Sequence, residues 1–124
     1  MSQEARNKKK ILIADDDPGI LDALTIMLED AMYEVIQTTD GNAVYGLMRE
    51  MPDLLLLDIW MSGVDGRDVC RHIKKDSSTN HIPIIIVSAN KDTQQASITC
   101  GANDFIAKPF DMFNLLDKIE KHLS

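Results

Sequence analysis

The feature that most constrains the fold is an unbroken run of four leucines, residues 54 to 57, which ends on Asp58. A short apolar run of this kind, opened by Pro52, is typical of a strand that is buried on both faces. The rival interpretation, a helix, is disfavoured because the run is too short and too sharply bounded. Asp58 is therefore expected where a central strand leaves the core, at the edge where open α/β sheets bind ligands.

The apolar pattern of the remaining chain predicts four more strands and five helices. The strands are expected at residues 10–14, 33–37, 82–87 and 104–107, and the helices at 18–30, 42–50, 67–75, 91–100 and 111–123. Asp17 and Asp111 are the expected N-caps of the first and last helices, and residues 59–66 are expected to form a loop. Strands that alternate with helices build a parallel sheet with helices on both faces. The sequence thus predicts a single doubly wound α/β domain.

Composition narrows the functional classes. The chain has 124 residues and a formal net charge of −7, and such a surface argues against binding nucleic acid or an anionic membrane unaided. We therefore expect no direct contact with nucleic acid, and no membrane association, since no apolar run approaches the ~20 residues of a span. Cys70 and Cys100 lack metal-site spacing and suit a reducing cytoplasm. Residues 1–8 are polar and are expected to be disordered, which leaves residues 9–124 as the domain.

Reactive side chains follow four of the five predicted strands. They are Asp15, Asp16, Asp58, Ser88 and Lys108, and parallel strands would bring them to one edge of the sheet. Clustered carboxylates repel one another, and a raised pKa or a bound cation relieves the repulsion. All-oxygen ligands favour Mg²⁺ over Ca²⁺ here, while an ammonium and a hydroxyl suit phosphoryl oxygens. Each residue alone also has an ordinary interpretation, as a helix-start acid, a strand-end cap or a surface turn.

Four segments carry a family resemblance: ILIADDDP, LLLLDIWMSGVDG, PIIIVSA and GANDFIAKPF. In this order and at these spacings, the chain resembles the receiver domain of response regulators, close to the chemotaxis regulator, over nearly its whole length. The resemblance implies a flavodoxin-like fold, with a five-stranded parallel sheet in the order 2-1-3-4-5. It also implies membership of a two-component system.

The resemblance further implies roles for the residues at the strand ends. Asp58 matches the phosphoacceptor, whose carboxylate becomes an aspartyl phosphate. Asp16, Asp58 and the backbone carbonyl of Trp60 would ligate Mg²⁺, with Asp15 in support. Lys108 would pair with the phosphoryl group.

Other implied features concern the response to phosphorylation. Ser88 would reorient to hydrogen-bond the phosphoryl group, and Phe105 matches the aromatic switch position. Lys108 and Pro109 match the family's cis peptide. Ser62 stands where the family usually has proline, so we expect a less constrained loop after the phosphoacceptor.

The resulting functional prediction is a signalling switch rather than a turnover enzyme. A sensor histidine kinase or a phosphotransfer protein would phosphorylate it, and residues 91–122 would contact a downstream protein or effector domain. The resemblance also allows a homodimer after phosphorylation. Two alternatives stay open: a phosphorylation-independent binding module, and an Mg²⁺-dependent phosphohydrolase with an aspartyl nucleophile. The phosphohydrolase alternative would require another aspartate at the position where this chain has Trp60.

Overall fold

The fold is built on a parallel sheet of five strands, as predicted. The computed structural model describes residues 8–61, 63–89 and 93–124. The strands are β1 (Lys10–Ala14), β2 (Glu34–Thr38), β3 (Leu54–Asp58), β4 (Ile84–Ser88) and β5 (Asp104–Ala107). Their order across the sheet is β2-β1-β3-β4-β5, and every neighbouring pair is parallel. The predicted strand order 2-1-3-4-5 is therefore confirmed.

Five α-helices connect and flank the strands. They are α1 (Pro18–Asp30), α2 (Ala43–Leu47), α3 (Gly66–Lys75), α4 (Thr93–Cys100) and α5 (Met112–Leu123). The prediction of one helix over residues 42–50 was wrong at its end, because Met48–Glu50 forms a 3₁₀ turn that stops at left-handed Met51. The first two residues of the helix predicted at 91–100 lie outside the described part of the chain.

Local signals explain several helix boundaries. Asp17 caps α1, since its side chain accepts hydrogen bonds from the amides of Gly19 and Ile20, and Asp111 caps α5 in the same way. Both predicted N-caps are confirmed. The segment predicted as a loop after β3 instead contains two short antiparallel strands, Trp60–Met61 and Val64–Asp65, which we call the hairpin.

The hydrophobic core lies on both faces of the sheet. All five residues of β3 are buried. Leu55 and Leu57 belong to one apolar cluster, while Leu54 and Leu56 belong to the other, because successive strand side chains point to opposite faces. None of the described helices combines the length and apolar character needed to cross a lipid bilayer. The apolar run of β3 thus fills both layers and delivers Asp58 to the edge of the sheet.

Candidate functional site

Three carboxylates meet at the C-terminal edge of the sheet. Asp15 and Asp16 follow β1, and Asp58 is the last residue of β3. One oxygen atom of each lies within 4.8 Å of the other two. Asp15 and Asp58 are buried and Asp16 is exposed, so the cluster reaches solvent on the Asp16 side. We call it the acidic pocket.

Lys108, which follows β5, joins the two buried carboxylates. Its Nζ atom lies 2.9 Å from Oδ2 of Asp15 and 3.2 Å from Oδ2 of Asp58. Burial alone would lower the pKa of Lys108, but the hydrogen bond to Asp15 and the charge of Asp58 raise it above its ordinary value. The side chain is therefore a permanent cation beside both carboxylates.

The surroundings of Asp58 disfavour its ionised form. Burial raises its pKa, and the charge of Asp15 raises it further, whereas Lys108 and the hydrogen bond from the Trp60 amide lower it. The raising effects prevail, so one lysine does not fully compensate the buried negative charge. A hard divalent cation would relieve this imbalance, and carboxylate oxygens are the ligands that such a cation prefers.

Asp15 is held firmly in place at the start of α1. Its Oδ1 atom accepts a hydrogen bond of 3.0 Å from the backbone amide of Asp17, and its Oδ2 atom accepts from Lys108. Asp17 in turn caps α1, so the helix start and the pocket share one hydrogen-bond chain. The acidic run after β1 therefore combines the helix-start role and a pocket role.

Ser88 and Phe105 lie on the strands beside the pocket. The Ser88 side chain is fully buried at the end of β4, and its carbonyl accepts a 2.9 Å hydrogen bond from the Lys108 amide. Phe105 on β5 is half-buried, and the ammonium of Lys118 lies 5.8 Å from its ring centroid. The peptide bond between Lys108 and Pro109 is cis, as the family resemblance implied.

The hairpin beyond Asp58 contains contacts that the sequence did not reveal. Trp60 is half-exposed, and the guanidinium of Arg67 lies 5.0 Å from the centroid of its ring system. Arg67 also forms a forked pair with Asp65. A Cβ atom on Gly66 would lie 2.2 Å from the Asp58 carbonyl oxygen. The order Asp65-Gly66 before a helix suggests a cap, but no sequence signal shows that Gly66 packs against the end of β3.

The expectation about Ser62 concerns a residue that lies outside the described part of the chain. The other predicted site residues all fall in the described part. Asp15, Asp16, Asp58 and Lys108 converge on the acidic pocket. The Trp60 amide donates to Asp58 Oδ1 over 3.3 Å, which places the hairpin at the rim of the pocket.

The fold and the acidic pocket together define a receiver of the doubly wound α/β class. The family described as the response regulator receiver domain matches residues 11–120, and the chain belongs to this family. Its members act as signalling switches in two-component systems. The chain is also similar to a CheY-like receiver domain protein from Methanospirillum hungatei, with 29% identity and a TM-score of 0.86; the match covers 94% of each chain.

Curated relatives are longer than this chain. It is 38% identical to the DNA-binding dual master transcriptional regulator RpaA of Synechocystis sp. over 89% of this chain and 47% of the relative. It is 34% identical to the DNA-binding response regulator MtrA of Mycolicibacterium smegmatis over 94% of this chain and 51% of the relative. The chain thus spans about half the length of these relatives.

These relatives correct one prediction. The net charge of −7 led us to expect no direct contact with nucleic acid, yet both relatives are DNA-binding regulators. That exclusion was wrong. Net charge describes this chain, which matches only about half of each relative, and it does not predict what the relatives bind.

Proposed function

We propose that Asp58 is the phosphoacceptor of this receiver and takes a phosphoryl group from a sensor histidine kinase or a phosphotransfer protein. The supporting observation is that Asp58 ends the central strand with Lys108 Nζ 3.2 Å from its Oδ2 atom and two further carboxylates beside it. Phosphoryl transfer needs mainly positioning and neutralisation of charge. This pocket supplies fixed groups for both tasks.

In the proposed reaction a carboxylate oxygen of Asp58 attacks the phosphorus of a phosphohistidine. A bond forms between that oxygen and phosphorus, the bond between phosphorus and the imidazole nitrogen breaks, and the nitrogen keeps the electron pair. A carboxylate is a competent nucleophile for such a covalent step. Lys108 would pair with an oxygen of the incoming phosphoryl group, and the Ser88 hydroxyl would donate to another. The product is an acyl phosphate on Asp58.

The donor set also fits a magnesium ion. Asp15, Asp16, Asp58 and the backbone carbonyl of Trp60 would hold it, since three of these groups place carboxylate oxygens within 4.8 Å of one another. Bound Mg²⁺ would supply positive charge to the phosphoryl oxygens. Burial and the charge of Asp15 raise the pKa of Asp58, and a bound cation would favour the ionised carboxylate.

The labelling experiment uses intact mass analysis after incubation with acetyl phosphate and Mg²⁺. The expected result is one added phosphoryl group, absent in Asp58→Asn and retained in Asp22→Asn, which removes an exposed carboxylate on α1. No labelling of the wild type would favour the phosphorylation-independent binding module. Repeated turnover of phosphate esters would favour the phosphohydrolase alternative over a switch. Full labelling of Asp58→Asn would refute the assignment.

We propose that the output face comprises residues 91–122, of which 93–122 are described. This face includes Phe105 and the exposed side chain of Ile98 on α4. Ser88 and Phe105 would convert phosphorylation into a change in this face, because added phosphoryl charge biases two-state elements. Amide exchange with and without beryllofluoride should change more at 93–110 than in α1. Equal protection at 93–110 in both states would contradict this face.

We also propose that the pathway ends in DNA binding, as the names of the relatives suggest. Transcript levels in cells carrying Asp58→Asn should then differ from those of the wild type at a defined set of promoters. Identical transcripts under inducing conditions would refute this output. Four other expectations remain predictions. They are the cytoplasmic location, the disorder of residues 1–8, the domain bounds of 9–124 and the homodimer.

A further inference from the structure

The side chain of Trp60 occupies an unusual position on the hairpin. Its neighbours Ile59 and Met61 are buried, whereas Trp60 is 51% exposed. The Trp60 amide lies 3.3 Å from Oδ1 of Asp58, so the side chain starts at the rim of the acidic pocket. About half of the side chain therefore lies outside the core, where a surface contact can help to set the position of the indole.

Arg67, in the first turn of α3, supplies that contact. Its guanidinium carbon lies 5.0 Å from the centroid of the Trp60 ring system, within the range of a cation–π contact. The same guanidinium is fixed by Asp65, with Nη2 2.7 Å from Oδ2 and Nε 3.0 Å from Oδ1. Because a forked pair sets the orientation of the planar guanidinium, Trp60 rests against a cation that is itself immobilised.

The hairpin keeps the three members of this cluster in register. Trp60 pairs directly with Asp65 across the two short strands, and Asp65 caps α3 by accepting a 2.9 Å hydrogen bond from the Arg67 amide. The hydrogen bond from Arg67 holds the pKa of Asp65 below its ordinary value. The pair therefore remains ionised at neutral pH. One carboxylate thus fixes both the backbone and the side chain of Arg67.

We propose that Arg67 is a positioning residue that holds the Trp60 indole as a wall at the mouth of the acidic pocket and so slows hydrolysis of the acyl phosphate on Asp58. The proposal rests on the proposed function. In hydrolysis a water oxygen attacks phosphorus, the bond between phosphorus and the Asp58 oxygen breaks, and free phosphate and the carboxylate result. A fixed indole beside Asp58 would hinder the approach of that water, whereas a mobile indole would not.

The first test concerns the unphosphorylated protein and uses Trp60, the sole tryptophan, as its own reporter. In Arg67→Gln, which loses the cation–π contact, acrylamide quenching should increase by up to about twofold, since the side chain is already 51% exposed. Arg67→Lys should restore part of the protection, because it keeps the cation and loses the fork. Arg71→Gln is the matched control, since Arg71 pairs with Asp68 on the exposed side of the same helix. Unchanged quenching in Arg67→Gln would overturn the positioning role.

The second test measures how long the phosphoryl group stays on Asp58 at saturating Mg²⁺, by intact mass after removal of acetyl phosphate. Trp60→Asn should shorten the lifetime most, Arg67→Gln should shorten it less, and Arg71→Gln should leave it unchanged. In the double variant, Arg67→Gln should add nothing to Trp60→Asn, because Arg67 acts through the indole. An undiminished Arg67 effect without Trp60, or unchanged lifetimes throughout, would overturn the proposal.

The two tests also separate this proposal from the function on which it rests. If the wild type is not labelled on Asp58, the proposed function fails, and with it the role of the wall. If labelling occurs and only the lifetimes are insensitive to Trp60, the phosphoacceptor assignment stands and the wall alone is refuted. Urea unfolding of each variant ensures that a shorter lifetime reflects the pocket mouth rather than a loss of folded protein.

Discussion

Asp58→Asn should stabilise the metal-free protein, although it removes one partner of an ion pair. The ionised carboxylate is attracted to Lys108 at 3.2 Å, which is worth about 5 kcal/mol at an effective dielectric constant of about 20. It is repelled by Asp15 and Asp16, each with an oxygen within 4.8 Å, by about 3.5 kcal/mol apiece on the same scale. Burial of the charge is the largest cost, and burial together with the repulsion outweighs the attraction to Lys108.

The expected gain in the free energy of unfolding is therefore about 1–3 kcal/mol at neutral pH, after allowing for stronger screening at exposed Asp16. Urea denaturation with EDTA present measures it. Asp22→Asn removes the same formal charge from an exposed site and should change stability little. A variant no more stable than the wild type would refute the reasoning, because the attraction to Lys108 would then outweigh the repulsion.

The pH dependence provides an independent check on the cause. Burial and the charge of Asp15 raise the pKa of Asp58 in the folded state, so the folded protein binds this proton more tightly than the unfolded chain. The destabilisation is thus fully present above the raised folded pKa and disappears as the pH falls below the unfolded value of about 4. The advantage of Asp58→Asn should shrink on acidification. A difference that persisted near pH 4 would assign the effect to packing rather than to charge.

Magnesium should reverse the order of stability of the wild type and Asp58→Asn. A ligand that binds only the folded state stabilises it by about 2.7 kcal/mol at one hundred times its dissociation constant. Wild-type protein should gain this stability at saturating Mg²⁺, whereas Asp58→Asn, with one carboxylate fewer, should gain less. Equal stabilisation of both proteins would place the ion elsewhere.

Three further predictions concern the start of α3, α2 and the fluorescence of Trp60. Gly66→Ala should destabilise the protein by about 3 kcal/mol, the upper end of overpacking penalties, because its Cβ atom would lie 2.2 Å from the Asp58 carbonyl oxygen. Gly46→Ala, with nothing within 4 Å of the added atom, should instead stabilise α2 by about 0.5–1 kcal/mol. The two urea curves should therefore shift in opposite directions, and a shift against its stated direction would contradict that variant's prediction. Titration with Mg²⁺ should change the fluorescence of Trp60, and a phosphoryl mimic should change it again. A flat titration would argue against a metal beside the Trp60 carbonyl.

Local patterns in the sequence determined the fold and the membership of the pocket. The leucine run before Asp58 predicts a strand that is buried on both faces. The alternation of strands with helices predicts a parallel sheet. Since parallel strands place all their C-terminal ends at one edge, the sequence alone predicts that Asp15, Asp16 and Lys108 lie beside Asp58. The net charge, by contrast, led to the wrong prediction that nucleic acid is not contacted, because charge describes a surface and does not identify a binding partner.

Only the tertiary structure decided which side chains of the acidic pocket contact each other. Lys108 is separated from Asp15 by 93 positions and from Asp58 by 50, and no local pattern shows that its ammonium contacts both carboxylates. Likewise, the contact between Arg67 and Trp60 depends on the register of the hairpin and on the cap of α3, which the sequence does not specify. Such contacts are set by the relative placement of packed elements to within an ångström, whereas periodicity in the sequence specifies only which face of each element is buried.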